Sequence, residues 1–164
     1  MTEQFELTRV IQADPSTIFA VLTSPEGHVS IDSSGMLQSA EGSRVSGVGD
    51  EFVVHMDRES LNDLPMGKYD VSVIITGFEK DRWIEWTIVG SVRPPLDHRY
   101  GYRLEATEDG TAVTSYYDWS RVTNEDFKGR FPEVPQFEWT PEIVGLRVLL
   151  EGCHYVQDAS VVYA

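Results

Sequence analysis

The chain has 164 residues, 41% of them hydrophobic and 24% charged, and its 27 acidic against 13 basic residues leave a formal charge of −14. That length suits one domain, 1–164, with a core of its own. The charge argues against nucleic acid or an anionic membrane as main partner, since both need a basic footprint, and it reads first as a solubility feature. Cys153 is the one cysteine, so no intramolecular disulfide can form and nothing points to an oxidising compartment. No basic region followed by an apolar run opens the chain, and no apolar stretch reaches bilayer length. The expected location is the cytoplasm, without membrane insertion.

Residues 5–11, Phe-Glu-Leu-Thr-Arg-Val-Ile, alternate and are rich in strand formers, so they predict a first strand. Asp14-Pro15-Ser16 reads as a helix start, with Asp14 as N-cap, Pro15 at the first helical position, and Ile18, Phe19, Val21 and Leu22 as its apolar face. Ser24-Pro25 closes it, because the residue before proline disfavours helical geometry. A second short helix over 26–34 is weakened by Gly27 and by the Ser33-Ser34-Gly35 run. A strand then begins at Met36 or at Arg44, and a better one runs from Glu51 to Met56.

After a loop over 58–66, four strand-like runs follow: 68–78, 83–89, 98–106 and 111–122. Glu79-Lys80-Asp81 and Glu108-Asp109-Gly110 are turn-like separators, and the second is a strong hairpin signal. Gly90 to Leu96, with Pro94-Pro95, is too long for a tight hairpin and is expected to stand out at the rim of the sheet. Residues 124–140 form a long connection carrying Phe127, Phe131, Phe137 and Trp139: a lid, or a segment pinned over the core by its aromatics.

The last run, 140–157, predicts a long helix. Thr140 is its N-cap, Pro141 takes the first helical position, and Glu142 sits near the positive end of the dipole. Ile143, Leu146, Leu150, Cys153 and Gln157 recur at helical spacing. Strand, short helices, about six strands and a long helix make an α+β fold with helices on one face of an antiparallel meander.

Residues 11–28, from Ile11-Gln12-Ala13-Asp14-Pro15 to Ser24-Pro25-Glu26-Gly27-His28, resemble the opening of the START-like, Bet v 1-like (SRPBCC) superfamily, and more narrowly its polyketide cyclase/dehydrase branch. Val48-Gly49-Asp50-Glu51-Phe52 is similar to that family's glycine followed by an outgoing strand, and residues 109–114 resemble its penultimate hairpin. The likeness spans nearly the whole chain, but its motifs are structural rather than catalytic. It implies a helix-grip fold, a curved antiparallel sheet wrapped around a long C-terminal helix. Between sheet and helix it implies a cavity for lipids, polyketides or other apolar molecules.

Strand alternation selects which residues would line such a cavity. One face carries Phe52, Val54 and Met56, then Ile84, Trp86 and Ile88, then Tyr100, Tyr102 and Leu104, then Val113, Ser115, Tyr117 and Trp119. Glu85, Thr87, Arg99, Arg103, Tyr116 and Asp118 point the other way. The expected ligand-binding set is Phe52, Val54, Met56, Trp86, Ile88, Tyr100, Tyr102, Ser115, Tyr117 and Trp119 from the sheet, with Leu146, Leu150 and His154 from the last helix. Aromatic rings with hydroxyl and indole donors suit an apolar site with a few orienting groups, and equally a filled core.

The four histidines, His28, His55, His98 and His154, show no short-range metal spacing and read as structural or surface residues. Cys153 and His154 are adjacent, about 100° apart on a helix, and cannot pair as nucleophile and base. No phosphate-binding glycine loop, zinc motif or nucleophile elbow occurs, so no cofactor or metal is expected. Three readings stand: a carrier of a small apolar or aromatic ligand; a polyketide cyclase, aromatase or dehydratase using Tyr100, Tyr117 or His154 at a carbonyl oxygen; and a non-catalytic, stress-linked interaction module presenting 127–139 to a protein partner. Oligomeric state is not legible.

Overall fold

In the computed structural model of the protein, the described residues are 3–32, 35–59 and 65–128. Strand β1 (Gln4–Ile11) leads into two short helices, α1 (Pro15–Leu22) and α2 (Pro25–Ile31). Six strands follow: β2 (Leu37–Glu41), β3 (Glu51–Asp57), β4 (Lys68–Glu79), β5 (Trp83–Val89), β6 (Arg99–Thr107) and β7 (Gly110–Asp118). A one-turn helix, α3 (Glu125–Lys128), closes the described part. All strand pairs are antiparallel, in the order β1-β7-β6-β5-β4-β3-β2. β2 to β7 form the expected meander, and β1 joins its far edge by pairing with β7. The fold class is α+β. The helix expected over 140–157, with Leu146, Leu150 and His154, lies outside the described residues, as does most of the 124–140 connection.

Local chemistry accounts for the helix boundaries. Asp14 takes extended N-cap geometry before Pro15, but its carboxylate makes no capping bond; its backbone carbonyl accepts from Thr17 and Ile18 at 3.0 and 3.2 Å. Ser24-Pro25 does more than end α1, because it also starts α2. The Ser24 hydroxyl accepts from the Gly27 amide at 3.3 Å and donates to the Glu26 carboxylate at 2.9 Å. At Gly27 a Cβ would stand 1.9 Å from the Val21 carbonyl oxygen, so this tight α1–α2 corner excludes any side chain.

The hairpin expected at residues 108–110 is present. Thr107 pairs with Gly110, which leaves Glu108 and Asp109 as its two loop residues. Gly110 has φ +133, and a Cβ there would meet the Ile11 carbonyl oxygen at 2.2 Å. Close approach of β1 therefore adds to the conformational reason for glycine.

Three boundaries differ from expectation. β7 ends at Asp118 rather than Val122, because the Asp118 carboxylate accepts from the Ser120 amide at 2.8 Å and turns the chain. β2 begins at Leu37, and no strand starts at Arg44; there the Asp50 carboxylate gathers the amides of Ser46 and Gly47 at 2.7 and 3.2 Å into a turn. The 90–96 connection is also tied down at one point, since Leu96 packs against Tyr117, Trp119 and Val122.

The buried face of the sheet carries two clusters. The larger joins Phe52, Val54, Val71, Val73, Ile75, Ile84, Trp86 and Tyr102 to Ile18, Phe19 and Leu22 of α1 and Ile31 of α2. The smaller consists of Tyr117, Trp119 and Val122, with Phe5, Leu96 and Tyr100 against it. Burying one such aliphatic side chain contributes about 1.5–3 kcal/mol, so the larger cluster carries most of the sheet's hold on the helices.

Candidate functional site

Register aligns the aromatics of the buried face into a row. Phe5 of β1 pairs with Tyr117 of β7, Tyr117 with Tyr100 of β6, Tyr100 with Trp86 of β5, and Trp86 with Ile75 of β4. The next row is Leu7, Ser115, Tyr102 and Ile84. Cross-strand neighbours on one face lie close enough for their rings to meet. Tyr100 and Tyr117 stack with centroids 4.5 Å apart, and Trp86 stacks on Tyr100 and Tyr102 at 6.1 and 5.9 Å. Trp119 continues the chain of rings, 5.3 Å from Tyr117 and edge-on to Phe5 at 4.9 Å.

A histidine that the sequence reading left aside stands among these rings. His98, immediately before β6, lies edge-on to Tyr100 and Tyr117 at 5.1 and 5.8 Å, and its Nδ1 is 3.0 Å from the Tyr117 hydroxyl. Burial pushes its pKa down to about 4, against the opposing pull of a bond to the Ile88 backbone. The ring is therefore neutral at pH 7, with one N–H. A backbone carbonyl can only accept, so that N–H serves Ile88 and Nδ1 accepts from Tyr117. The alternation that selected Tyr100, Tyr102 and Leu104 also contains position 98, so the signal was in the sequence.

The two clusters differ in what covers them. Over Phe52 and Trp86 lies His28 of α2, edge-on at 5.0 and 4.9 Å, with Nε2–H donating to the Leu22 carbonyl at 2.8 Å. Burial drives its pKa down to about 4 as well. Phe19 of α1 meets Phe78 at 5.3 Å. Phe52, Val54 and Met56 thus belong to the aliphatic core that α1 and α2 pack against, as does one side of Trp86. Tyr117 and Trp119 belong to the smaller cluster, His98 lies beside Tyr117, and Tyr100 packs against both clusters. Tyr102 is buried within the larger cluster and Ser115 is buried opposite it on β7, while Ile88 and Tyr100 are half-buried.

The opposite face is less solvated than alternation implies. Tyr116 is buried and Glu85 half-buried. Trp83 Nε1–H donates to the Tyr116 hydroxyl at 2.8 Å, which donates to the Glu85 carboxylate at 2.9 Å; Thr76 donates to its other oxygen at 2.9 Å. Burial, then the Glu85 bond and charge, hold the Tyr116 phenol far above its usual range, with the Trp83 bond opposing. The rings lie flat on the sheet because positions 77 and 101 are glycines; a Cβ at either would stand 2.3 Å from Trp83 or Tyr116. Arg99 on this face is paired with Asp97 at 2.5 Å and lies 3.9 Å from Glu85. The network ties β4, β5 and β7 together.

Elsewhere, His55 sits on the surface between Asp70 at 2.7 Å and Glu41 at 3.2 Å, bonds that raise its pKa. Among the described residues, no three His, Cys, Asp or Glu side chains are arranged to hold a metal ion. Likewise no described helix is long and apolar enough to cross a membrane.

No protein-family model matches the chain, and no curated protein matches it in sequence. Solved structures do match in fold. A protein from Chromobacterium violaceum aligns with TM-score 0.67 and 14% identity, over 92% of this chain and 99% of the other. The Aha1 dimer from Colwellia psychrerythraea aligns with TM-score 0.61 and 17% identity, over 91% and 97%. An AHSA1-like protein from Aeromonas hydrophila aligns with TM-score 0.60 and 13% identity, over 96% and 94%. At these identities the likeness is one of fold. What is shared is the α+β class, a curved antiparallel sheet with few helices.

Proposed function

We propose that the protein binds a small apolar or aromatic molecule, lipid- or polyketide-like, against the aromatic part of the buried sheet face. One observation carries this reading: a polar pair on that face, His98 with Tyr117, sits among stacked rings, and Tyr117 belongs to a cluster separate from the core that α1 and α2 pack against. A surface needed only for packing gains little from a buried imidazole, whereas rings around a few fixed polar groups are the usual chemistry of a ligand site. The shared α+β class adds support by analogy of fold.

The test is native mass spectrometry of the protein purified from its own host, followed by thermal shift with whatever is extracted. The expected result is a co-purifying apolar molecule that raises the Tm, since binding to the native state must stabilise it. If nothing co-purifies and no apolar or aromatic compound shifts the Tm, the reading fails.

A second reading, a polyketide cyclase, aromatase or dehydratase working at the same place, draws on the same pair. Such chemistry needs a titratable group within the site, and His98 is one. Its pKa near 4 lies about three units below neutral pH, where a general base works poorly. Carriage therefore ranks above catalysis.

A further inference from the structure

On the outer side of the sheet, the two nitrogens of one imidazole face two carboxylates from different strands. His55 lies within β3, and alternation turns it away from the buried face that Val54 and Met56 share. Its Nδ1 is 2.7 Å from Asp70, its direct cross-strand partner on β4, and its Nε2 is 3.2 Å from Glu41, the last residue of β2. The other charged groups that β2, β3 and β4 place near it on that face are Asp57 and Lys68, which stand opposite each other one step along. A carboxylate only accepts, so both ring nitrogens can bond at once only if each carries a hydrogen, as in the imidazolium. A neutral ring has one N–H. The shorter contact, to Asp70, is the one to keep it, and the Glu41 oxygen then meets a lone pair.

The two contacts hold strands of different standing. β3 and β4 pair over seven residues without a register shift, whereas β2 has five residues, ends the strand order, and shifts register against β3 between Leu37 and Ser39. The start of β2 is tied independently: the Met36 carbonyl accepts from the Asp57 amide at 2.8 Å, and the Asp32 carboxylate from the Leu37 amide at 3.0 Å. Glu41 stands at the other end. We infer that Glu41, His55 and Asp70 form a proton-operated clasp, which holds the far end of β2 to the sheet while His55 is an imidazolium and releases it when the ring turns neutral. Leu37 and Ala40 of β2 pack against the larger core, so release loosens that edge of the core. The Asp70 bond, then the Glu41 bond, raise the His55 pKa above its ordinary 6.5. The clasp is therefore fully closed below pH 6.5 and opens as pH rises through the folded value.

Amide hydrogen exchange of the full chain, followed by NMR and expressed as protection relative to the intrinsic rate at each pH, tests it. From about pH 6 to pH 9, the amides of β2 and those of β3 that pair with it should lose protection by about twofold to fivefold, the scale of an exposed ion pair. The midpoint should coincide with the His55 ring titration read in the same samples, while amides shared by β6 and β7 keep their protection. Glu41→Gln, a change at an exposed side chain, should bring β2 at low pH to the level the unaltered chain shows at high pH and uncouple it from the ring. Asp70→Asn should lower the ring's midpoint and move the β2 transition with it. Protection of β2 that ignores the His55 titration, or that follows it equally in Glu41→Gln, overturns the inference.

Discussion

The two halves of the buried sheet face use the same strands to different ends. Under α1 and α2 the residues are aliphatic or nearly so, and a polar side chain sent into them, His28, spends its N–H on the Leu22 carbonyl while its ring packs on Phe52 and Trp86. Around Tyr117 the surface is built of rings and its imidazole bonds a hydroxyl. One half is therefore a core in which a polar group has been made compatible with packing. In the other, a buried imidazole and a phenol bond each other among the rings. The two buried imidazoles thus differ in partner: one bonds a backbone carbonyl of the helix layer, the other a side chain of the sheet.

The largest expected effect lies in the aliphatic half. Leu22 is fully buried, and Leu22→Ala should cost about 2–5 kcal/mol in urea unfolding, with affinity for a co-purifying apolar molecule unchanged at temperatures where the variant is folded. Loss of affinity without loss of stability would erase the distinction between the halves.

Next comes pH. His28 and His98 are both held near pKa 4 when folded and return to about 6.5 when unfolded. Between those values the unfolded chain binds the extra protons, so stability is fully present above pH 6.5 and falls as pH drops towards 4. The steepest slope is about 1.4 kcal/mol per pH unit for each histidine. His28→Gln should flatten it by roughly half; a slope unchanged in that variant would mean that His28 is not buried as a neutral ring.

In the aromatic half, Tyr117→Phe should lose only about 1 kcal/mol of stability, the worth of one buried hydrogen bond, yet raise the pKa of His98 little, since burial is what depresses it. Titration of the His98 ring by NMR reads this directly, and a return to 6.5 would point to bonding rather than burial as the cause. The smallest effect belongs to His55. Its folded pKa is raised, so its contribution is present below pH 6.5 and is lost as pH rises through the folded value, opposite in sign to His28. His55→Gln should shift the Tm slightly at pH 6 and less at pH 9, a small change because the pair is exposed.

Much of this was legible in the chain alone, for reasons of short range. Pro15 and Ser24-Pro25 punctuate the helices, Asp109-Gly110 turns the last hairpin, and alternation sorts Trp86, Tyr100 and Tyr117 from Glu85 and Arg99. Each depends on a few neighbouring residues. His98 was legible by the same rule and needed only the strand's parity carried one step back. The apolar character and α+β order were likewise set by local pattern, and they suffice for the resemblance to a helix-grip fold.

What only the tertiary structure decided is long in range. Pairing of β1 with β7, between residues such as Phe5 and Tyr117, depends on both edges of a finished sheet. The division of one face into a half covered by α1 and α2 and an aromatic half depends on where those helices come to rest. The burial of Tyr116, Glu85 and Trp83 on the face that alternation assigns to solvent depends on Gly77 and Gly101 two strands apart, each leaving the space that the other strand's ring fills. Periodicity encodes which way a side chain points; what it meets there is a property of residues distant in the chain, brought together only when the sheet closes.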